Sequence, residues 1–195
     1  RWLHDEMLPG QSYDVLNEMV ARVPRGANGL LFAPYLSGER HPYPDPLARG
    51  AFVGFTLRHG RTQMVRATME GVAFGMRDLV EIARDKDIHP SSAAVSGGAA
   101  NSPIWRQIMT DIMNFPLYTV NTTEGGAFGA AILAGVGAGE WPDVPSACHA
   151  LIHQVDTTQP DAPGVAAYER VYAAFRQLYP ALRDLFTTLA PLDEA

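Results

Sequence analysis

The stretch VSGGAANSPIW, residues 95–105, has the residue types that can hold an anionic ligand. Ser102 is a good helix N-cap and Pro103 suits the first helical position, so we expect a helix to begin here. Unpaired main-chain N–H groups at a helix N-terminus attract anions, and Gly97 and Gly98 carry no Cβ that would keep a ligand from the main chain. On its own, however, the stretch is more typical of an ordinary strand-to-helix turn.

A second turn of the same kind shifts the balance toward a ligand site. Residues 121–131, NTTEGGAFGAA, again place a glycine pair, Gly125 and Gly126, ahead of a predicted helix. Gly129 inside that helix costs about 1 kcal/mol relative to alanine, so either a ligand or a neighbouring helix is expected close to this face. Two such turns after neighbouring strands suit a nucleotide bound at the carboxyl ends of those strands.

Several common sites are excluded by the sequence. The only lysine, Lys86, lies in ARDKD and follows no glycine-rich loop, which excludes a Walker phosphate loop. The GGAAN segment lacks the full dinucleotide fingerprint, so NAD is not predicted. The histidines have no metal-ligand spacing with cysteine or acidic residues, and no metal site is predicted at His4, His41, His59, His89, His149 or His153.

Two further interpretations remain open. Ser96 could be a nucleophile on a strand-to-helix turn, with His149 or His153 and Asp156 completing a hydrolase triad, although such patterns arise easily by chance. The adjacent charges at 39–40, ER, lie in a proline-rich loop and could either position a ligand or pair with each other.

The elements that must position these turns alternate between strands and helices, which indicates an α/β layered domain. Helices are predicted over 13–23, over 61–86 and at the end of the chain over 165–186, with a kink at Pro180. Short apolar segments predict strands at 29–36, 50–57, 92–96, 116–120 and 151–155. The long helix has an apolar spacing through Val65, Met69, Val72, Met76, Leu79 and Ala83, and two pairs one turn apart, Arg66/Glu70 and Arg77/Glu81.

Composition sets the class of partner. The 195 residues are 47% hydrophobic, enough for a buried core, and the length favours one domain over residues 1–195. A net charge of −6 gives no broad attraction for nucleic acid or acidic membranes, so neither is an expected partner, and the ligand is expected to be small. The single cysteine, Cys148, and the lack of a leader-like start predict a cytoplasmic protein.

Three segments in order, 34–81, 96–118 and 124–139, resemble the C-terminal lobe of the FGGY carbohydrate kinases. The resemblance covers the chain from about Trp2 to Phe186, and residues 50–70 match the family's second signature except chiefly at Phe55, where a smaller aliphatic residue is usual. It implies a ribonuclease-H-like lobe of the actin/hexokinase ATPase type. The implied reaction is ATP-dependent phosphorylation of a sugar, D-xylulose being the expected substrate, with Mg²⁺ held mainly through the nucleotide.

The resemblance also implies which residues border the nucleotide. They are Gly97, Gly98, Ala99, Asn101, Ser102, Glu124, Gly125 and Gly126. Ala99 stands where related kinases often have a third glycine, so approach to the main chain there is expected to be tighter.

The family's catalytic aspartate lies in a Gly-Asp motif that does not occur in this sequence. We therefore expect that motif, the sugar-binding lobe and the first strands of the sheet to lie upstream of Arg1, and the chain alone to be inactive as a kinase. An uncovered sheet edge recruits other chains, which predicts a homodimer or larger assembly. The alternative class is a stand-alone nucleotide-binding or interaction domain that never catalyses.

Overall fold

The computed structural model describes residues 2–192, which form two small sheets with helices packed against them. The strands are β1 Leu31–Ala33, β2 Ala51–Val53, β3 Ala93–Val95, β4 Leu117–Val120 and β5 Gln154–Thr158. The helices are α1 Tyr13–Ala21, α2 Arg61–Arg84, α3 Pro103–Met113, α4 Gly125–Gly137, α5 Val144–Leu151, α6 Ala162–Phe175 and α7 Leu178–Leu189. Short turns of other helix types occupy Leu3–Met7, Ala27–Gly29, Gly97–Asn101 and Ala190–Leu192.

The larger sheet has the strand order β3-β4-β5. Strand β3 runs parallel to β4, and β5 runs antiparallel to β4. In this register Val95 lies opposite Thr119, and Thr119 lies opposite Asp156. These three residues form a row across the sheet immediately before the glycine turn that follows β3. The smaller sheet is the antiparallel pair of β1 and β2.

Helix α2 is the centre of the core, since it contacts α1, α3 and β1. Gly71 lets the helix approach β1 closely, because a Cβ there would overlap the carbonyl oxygen of Phe32. On the same helix Phe74 is 1% exposed and packs against the rings of Tyr168, Tyr172 and Phe175 from α6. The aromatic side chains of α6 therefore fix that helix on α2.

The predicted apolar face of α2 is wrong in part. Met76 and Leu79 are 42% and 47% exposed, whereas the charged residues Arg66, Glu70 and Arg77 are buried. The predicted pairs one turn apart do form, with Arg66 Nε 2.7 Å from Glu70 and Arg77 Nε 3.2 Å from its partner Glu81. Partners from other elements supply further hydrogen bonds to these buried charges, and among the described residues only Nη1 of Arg77 is left without one.

Glu70 shows how this works, since its Oε1 accepts three hydrogen bonds. The donors are Arg66 Nε at 2.7 Å, the Tyr168 hydroxyl at 2.8 Å and the Gly26 amide at 3.0 Å. Arg66 also donates to the Tyr168 oxygen at 2.8 Å and to two carbonyl oxygens at the end of α1, at 2.9 and 2.8 Å. Burial raises the pKa of Glu70, and its three donors oppose that shift. This network joins α1, α2 and α6.

Several predicted boundaries are wrong. The strands expected over 29–36 and 50–57 are only three residues long, β1 and β2, because Gly29 and Gly54 adopt positive φ at their ends. The strand expected over 151–155 lies three residues later as β5. It follows a helix that the sequence analysis missed, α5, which Asp143 caps by accepting from the Ser146 amide at 2.8 Å.

The single C-terminal helix expected over 165–186 is also wrong. The structure has two helices, α6 and α7, and Arg176 and Gln177 separate them. Pro180 lies in the first turn of α7 and has no N–H to donate to the carbonyl of Arg176, four residues earlier. Proline therefore ends one helix and begins the next rather than kinking a continuous one.

The remaining predicted elements are confirmed with small shifts at their ends. Helix α1 was predicted over 13–23 and ends two residues earlier than that, at Ala21. Helix α2 was predicted over 61–86 and also ends two residues earlier, at Arg84. Residues 37–50 form an ordered loop without regular structure. Glu39 Oε1 in this loop accepts from the main-chain amides of Arg40 at 2.7 Å and His41 at 3.1 Å. The Glu39 carboxylate thus fixes the main chain of the loop at the two residues that follow it.

Candidate functional site

The two glycine-rich turns meet at one end of the larger sheet. Residues Gly97–Asn101 form a single 3₁₀ turn between β3 and α3, and Gly125 begins α4 after β4. A Cβ on Gly125 would lie 3.9 Å from Ser96 Oγ, so the two turns are adjacent. Because β3 and β4 run parallel, their carboxyl ends bring both helix starts to the same edge, as the sequence analysis expected.

The main chain of these turns is open. A Cβ at Gly97, Gly98, Gly126 or Gly129 would have no heavy atom of residues 2–192 within 4 Å, apart from those of its chain neighbours and its own helix's backbone. Gly97 has φ of +68°, a conformation that L-residues avoid, whereas the Gly98 backbone needs no glycine. Beside Gly129, where either a ligand or a neighbouring helix was expected, no helix among the described residues comes within 4 Å of such a Cβ. The glycines therefore border free space from which a ligand can reach the backbone.

The start of α3 is fixed by Ser102. Its Oγ accepts from the Trp105 amide at 3.2 Å, which is an N-cap, and donates to Asn17 Oδ1 on α1 at 2.7 Å. An N-cap of this type is worth about 1 kcal/mol. Ser102 is 7% exposed and its hydroxyl is engaged on both sides, while the side chain of its neighbour Asn101 is exposed. Ser102 thus orients the helix, and Asn101 presents an amide to solvent.

The start of α4 is left open. Glu124 precedes the helix with an exposed carboxylate, and no side chain caps the first turn. The Glu124 amide donates to Thr122 Oγ1 at 3.2 Å, and its carbonyl accepts from the Phe128 amide at 2.9 Å. Uncapped amides at a helix N-terminus carry a partial positive charge. This second helix start can therefore donate hydrogen bonds to an anionic group only through its main-chain amides.

Arg106 is the residue near these turns that the sequence analysis missed. It lies one turn into α3 and donates to the Ala100 carbonyl, and its Nη2 lies 2.7 Å from Asp156 Oδ2 on β5. The Ala100 carbonyl belongs to the glycine turn itself, whereas Asp156 lies 50 residues beyond Arg106 in the sequence. Only the fold brings them together.

The hydrolase interpretation needs Asp156 as the acid of a triad, and this residue has another partner. Asp156 is paired with Arg106, and within residues 2–192 no hydrogen bond joins Ser96 to His149, His153 or Asp156. The structure does not assemble a triad at Ser96.

Neither a metal cluster nor a membrane span is present among the described residues. No three His, Cys, Asp or Glu side chains of residues 2–192 come together in a way that could hold a metal ion. Over the same residues, none of the helices combines the length and apolar character needed to cross a bilayer.

Known structures show the class of this fold. Over 96% of its length the chain matches the ligand-bound xylulose kinase from Lactobacillus acidophilus, with a TM-score of 0.85 and 26% identity, covering 38% of that chain. The fold is therefore a ribonuclease-H-like lobe of the actin/hexokinase type, which confirms the predicted fold class.

Sequence comparison narrows the class to one family. The C-terminal domain of the FGGY family of carbohydrate kinases matches residues 2–138. A xylulose kinase of Staphylococcus epidermidis is 34% identical over 172 residues, 88% of this chain and 35% of its own length. A gluconokinase of Bacillus subtilis is 35% identical over 144 residues, 68% of this chain and 28% of its own length. The chain belongs to the FGGY family of carbohydrate kinases and spans about a third of the length of these relatives.

Proposed function

We propose that this chain is the nucleotide-binding lobe of an ATP-dependent sugar kinase. One observation carries the proposal: two open glycine turns, each leading into a helix N-terminus, meet at the carboxyl ends of adjacent parallel strands. That arrangement supplies main-chain donors and space for an anion from two directions. Family membership supports the same conclusion.

In this proposal the 3₁₀ turn and the start of α3 border the adenosine and α-phosphate side of the nucleotide, and the start of α4 borders the same pocket. Phosphoryl transfer depends mainly on positioning and electrostatic stabilisation, so a lobe of this kind contributes by fixing the nucleotide. The residues assigned to this border are Gly97, Gly98, Ala99, Asn101, Ser102, Glu124, Gly125 and Gly126.

The metal and the sugar follow from the same proposal. Mg²⁺ in nucleotide sites is commonly held by the phosphates, water and one or two carboxylates. We propose that Mg²⁺ is held here mainly through the nucleotide, as family membership implies. We propose D-xylulose as the sugar, because several of the relatives are xylulose kinases. Without a Gly-Asp motif, the chain by itself is proposed to be inactive in transfer.

Binding of ADP with Mg²⁺ tests the nucleotide site. A ligand that binds only the folded state stabilises it by about 2.7 kcal/mol at a hundredfold excess over Kd. For a domain of this size we expect a rise in Tm of about 5–10 °C under that condition. Differential scanning fluorimetry with MgCl₂ alone as the control measures the shift, and isothermal titration calorimetry confirms it. The absence of both a Tm shift and a heat of binding at millimolar ADP would contradict the proposal.

We also propose that the chain self-associates. Strand β3 pairs with β4 on one side only among the described strands, which leaves the other edge of Ala93–Val95 without a strand. Such edges pair with other chains. Light scattering is expected to give at least twice the mass of one chain, and a monodisperse monomer at high concentration would rule this out.

A further inference from the structure

Arg106 binds the 3₁₀ turn through the Ala100 carbonyl. Its side chain is 14% exposed and reaches back from α3 past the helix start. Nη1 donates to the Ala100 carbonyl, Nη2 lies 2.7 Å from Asp156 Oδ2, and Nε donates to Thr158 Oγ1 at 3.4 Å. One guanidinium therefore connects the turn to two residues of β5.

The Ala100 carbonyl needs this donor. It belongs to the last residues of the turn, whose carbonyls have no partner further along a helix, and Ala100 is only 9% exposed. A carbonyl left without a donor in such a place is costly, so the peptide would rotate to reach water. The amides of the preceding glycines would move with it.

Asp156 holds the guanidinium on its other side. Its Oδ2 binds Arg106, and its Oδ1 accepts from the Thr157 amide at 2.8 Å, so the carboxylate is itself fixed on the strand. Because Asp156 lies in the same row of the sheet as Thr119 and Val95, it is level with the end of β3 and separated from it by β4. A planar guanidinium with fixed donors suits such a bridge better than a lysine ammonium.

We propose that Arg106 is a positioning residue for nucleotide binding, which acts through the Ala100 carbonyl and is itself held by Asp156. It touches neither the reacting atoms nor the ligand. Its effect is to keep the main chain of Gly97–Ala99 in the conformation that the nucleotide meets. The inference rests on the proposed nucleotide site and adds to it the side chains that preorganise the turn.

Arg106→Gln tests the inference with two measurements on the whole chain. The Kd for MgADP by calorimetry is expected to rise about tenfold, the loss of one charge-assisted hydrogen bond. Hydrogen exchange of the Ser102 amide, which donates to the Ala99 carbonyl at 3.2 Å and so reports on the turn, is expected to accelerate. Arg106→Lys keeps one donor and is expected to fall between wild type and Arg106→Gln in both measurements.

Gln107→Ala is the matched control. Gln107 is the next residue of α3; it bonds Asp111 of the same helix at 2.7 Å and ties the helix to the Gln159 carbonyl at 3.0 Å, with no bond to the turn. It is expected to lower Tm while leaving the Kd and the Ser102 exchange rate unchanged. A purely structural role for Arg106 would make the two variants alike, and that result would overturn the inference.

A double-mutant cycle tests the part played by Asp156. Asp156→Asn is expected to raise the Kd less than Arg106→Gln, and the double variant is expected to be no weaker than Arg106→Gln alone. Additive effects would overturn the claim that Asp156 acts through Arg106. If the wild-type chain fails to bind MgADP, the proposed function falls and the role in binding falls with it. The exchange rates then decide separately whether Arg106 holds the turn.

Discussion

Replacing Glu70 by alanine is expected to lower the free energy of unfolding by about 3–5 kcal/mol, because it leaves Arg66 charged and buried without its carboxylate. Glu70 and Arg66 are 2% and 5% exposed. The same change removes the acceptor of the Tyr168 hydroxyl and of the Gly26 amide, which adds two unsatisfied donors. Urea unfolding followed by circular dichroism measures the loss.

Glu81→Ala is the control on the same helix. Glu81 pairs with two arginines, Arg77 and Arg84, but its side chain is 33% exposed and Arg77 keeps a second carboxylate, Glu169, at 2.8 Å. A partly exposed pair of this kind contributes at most about 1 kcal/mol. Equal losses for the two variants would show that burial of the Glu70 network does not set its contribution.

The Glu70 network also marks the limit of what the sequence could predict. The Arg66/Glu70 spacing was visible as a pair one turn apart, and the pair forms. Its burial was not visible, because the third member, Tyr168, is about a hundred residues away and belongs to another helix. Apolar periodicity alone therefore assigned the wrong residues to part of the buried face of α2.

In the candidate site, too, features encoded by neighbouring residues were predictable and features that depend on distant residues were not. The turns were predictable because their signals are local: glycine pairs after short apolar segments, and a serine and proline that begin a helix. Helix α3 begins at Pro103 as expected, and α4 begins at Gly125. Arg106 was not predictable, since its role depends on a strand 50 residues away and on a register that only the folded sheet defines.

Gly98→Val is expected to raise the Kd for MgADP at least tenfold, which is a loss of about 1.4 kcal/mol in binding free energy. A valine side chain there would stand in the free space next to the turn, where the nucleotide is proposed to approach the main chain. Gly98 is a better choice than Gly97, whose positive φ would add backbone strain to any substitution. Calorimetric titration measures the effect.

The fold should tolerate this change, which makes the test specific. Because no described atom lies within 4 Å of a Cβ at Gly98, the free energy of unfolding is expected to change by no more than about 0.5 kcal/mol. Gly137→Val is the matched control, since Gly137 is equally open but lies roughly 16 Å along α4 from Gly126. Unchanged affinity in Gly98→Val, with wild-type binding intact, would move the nucleotide away from this turn. Loss in both variants would point instead to a general effect of the added side chains on the fold.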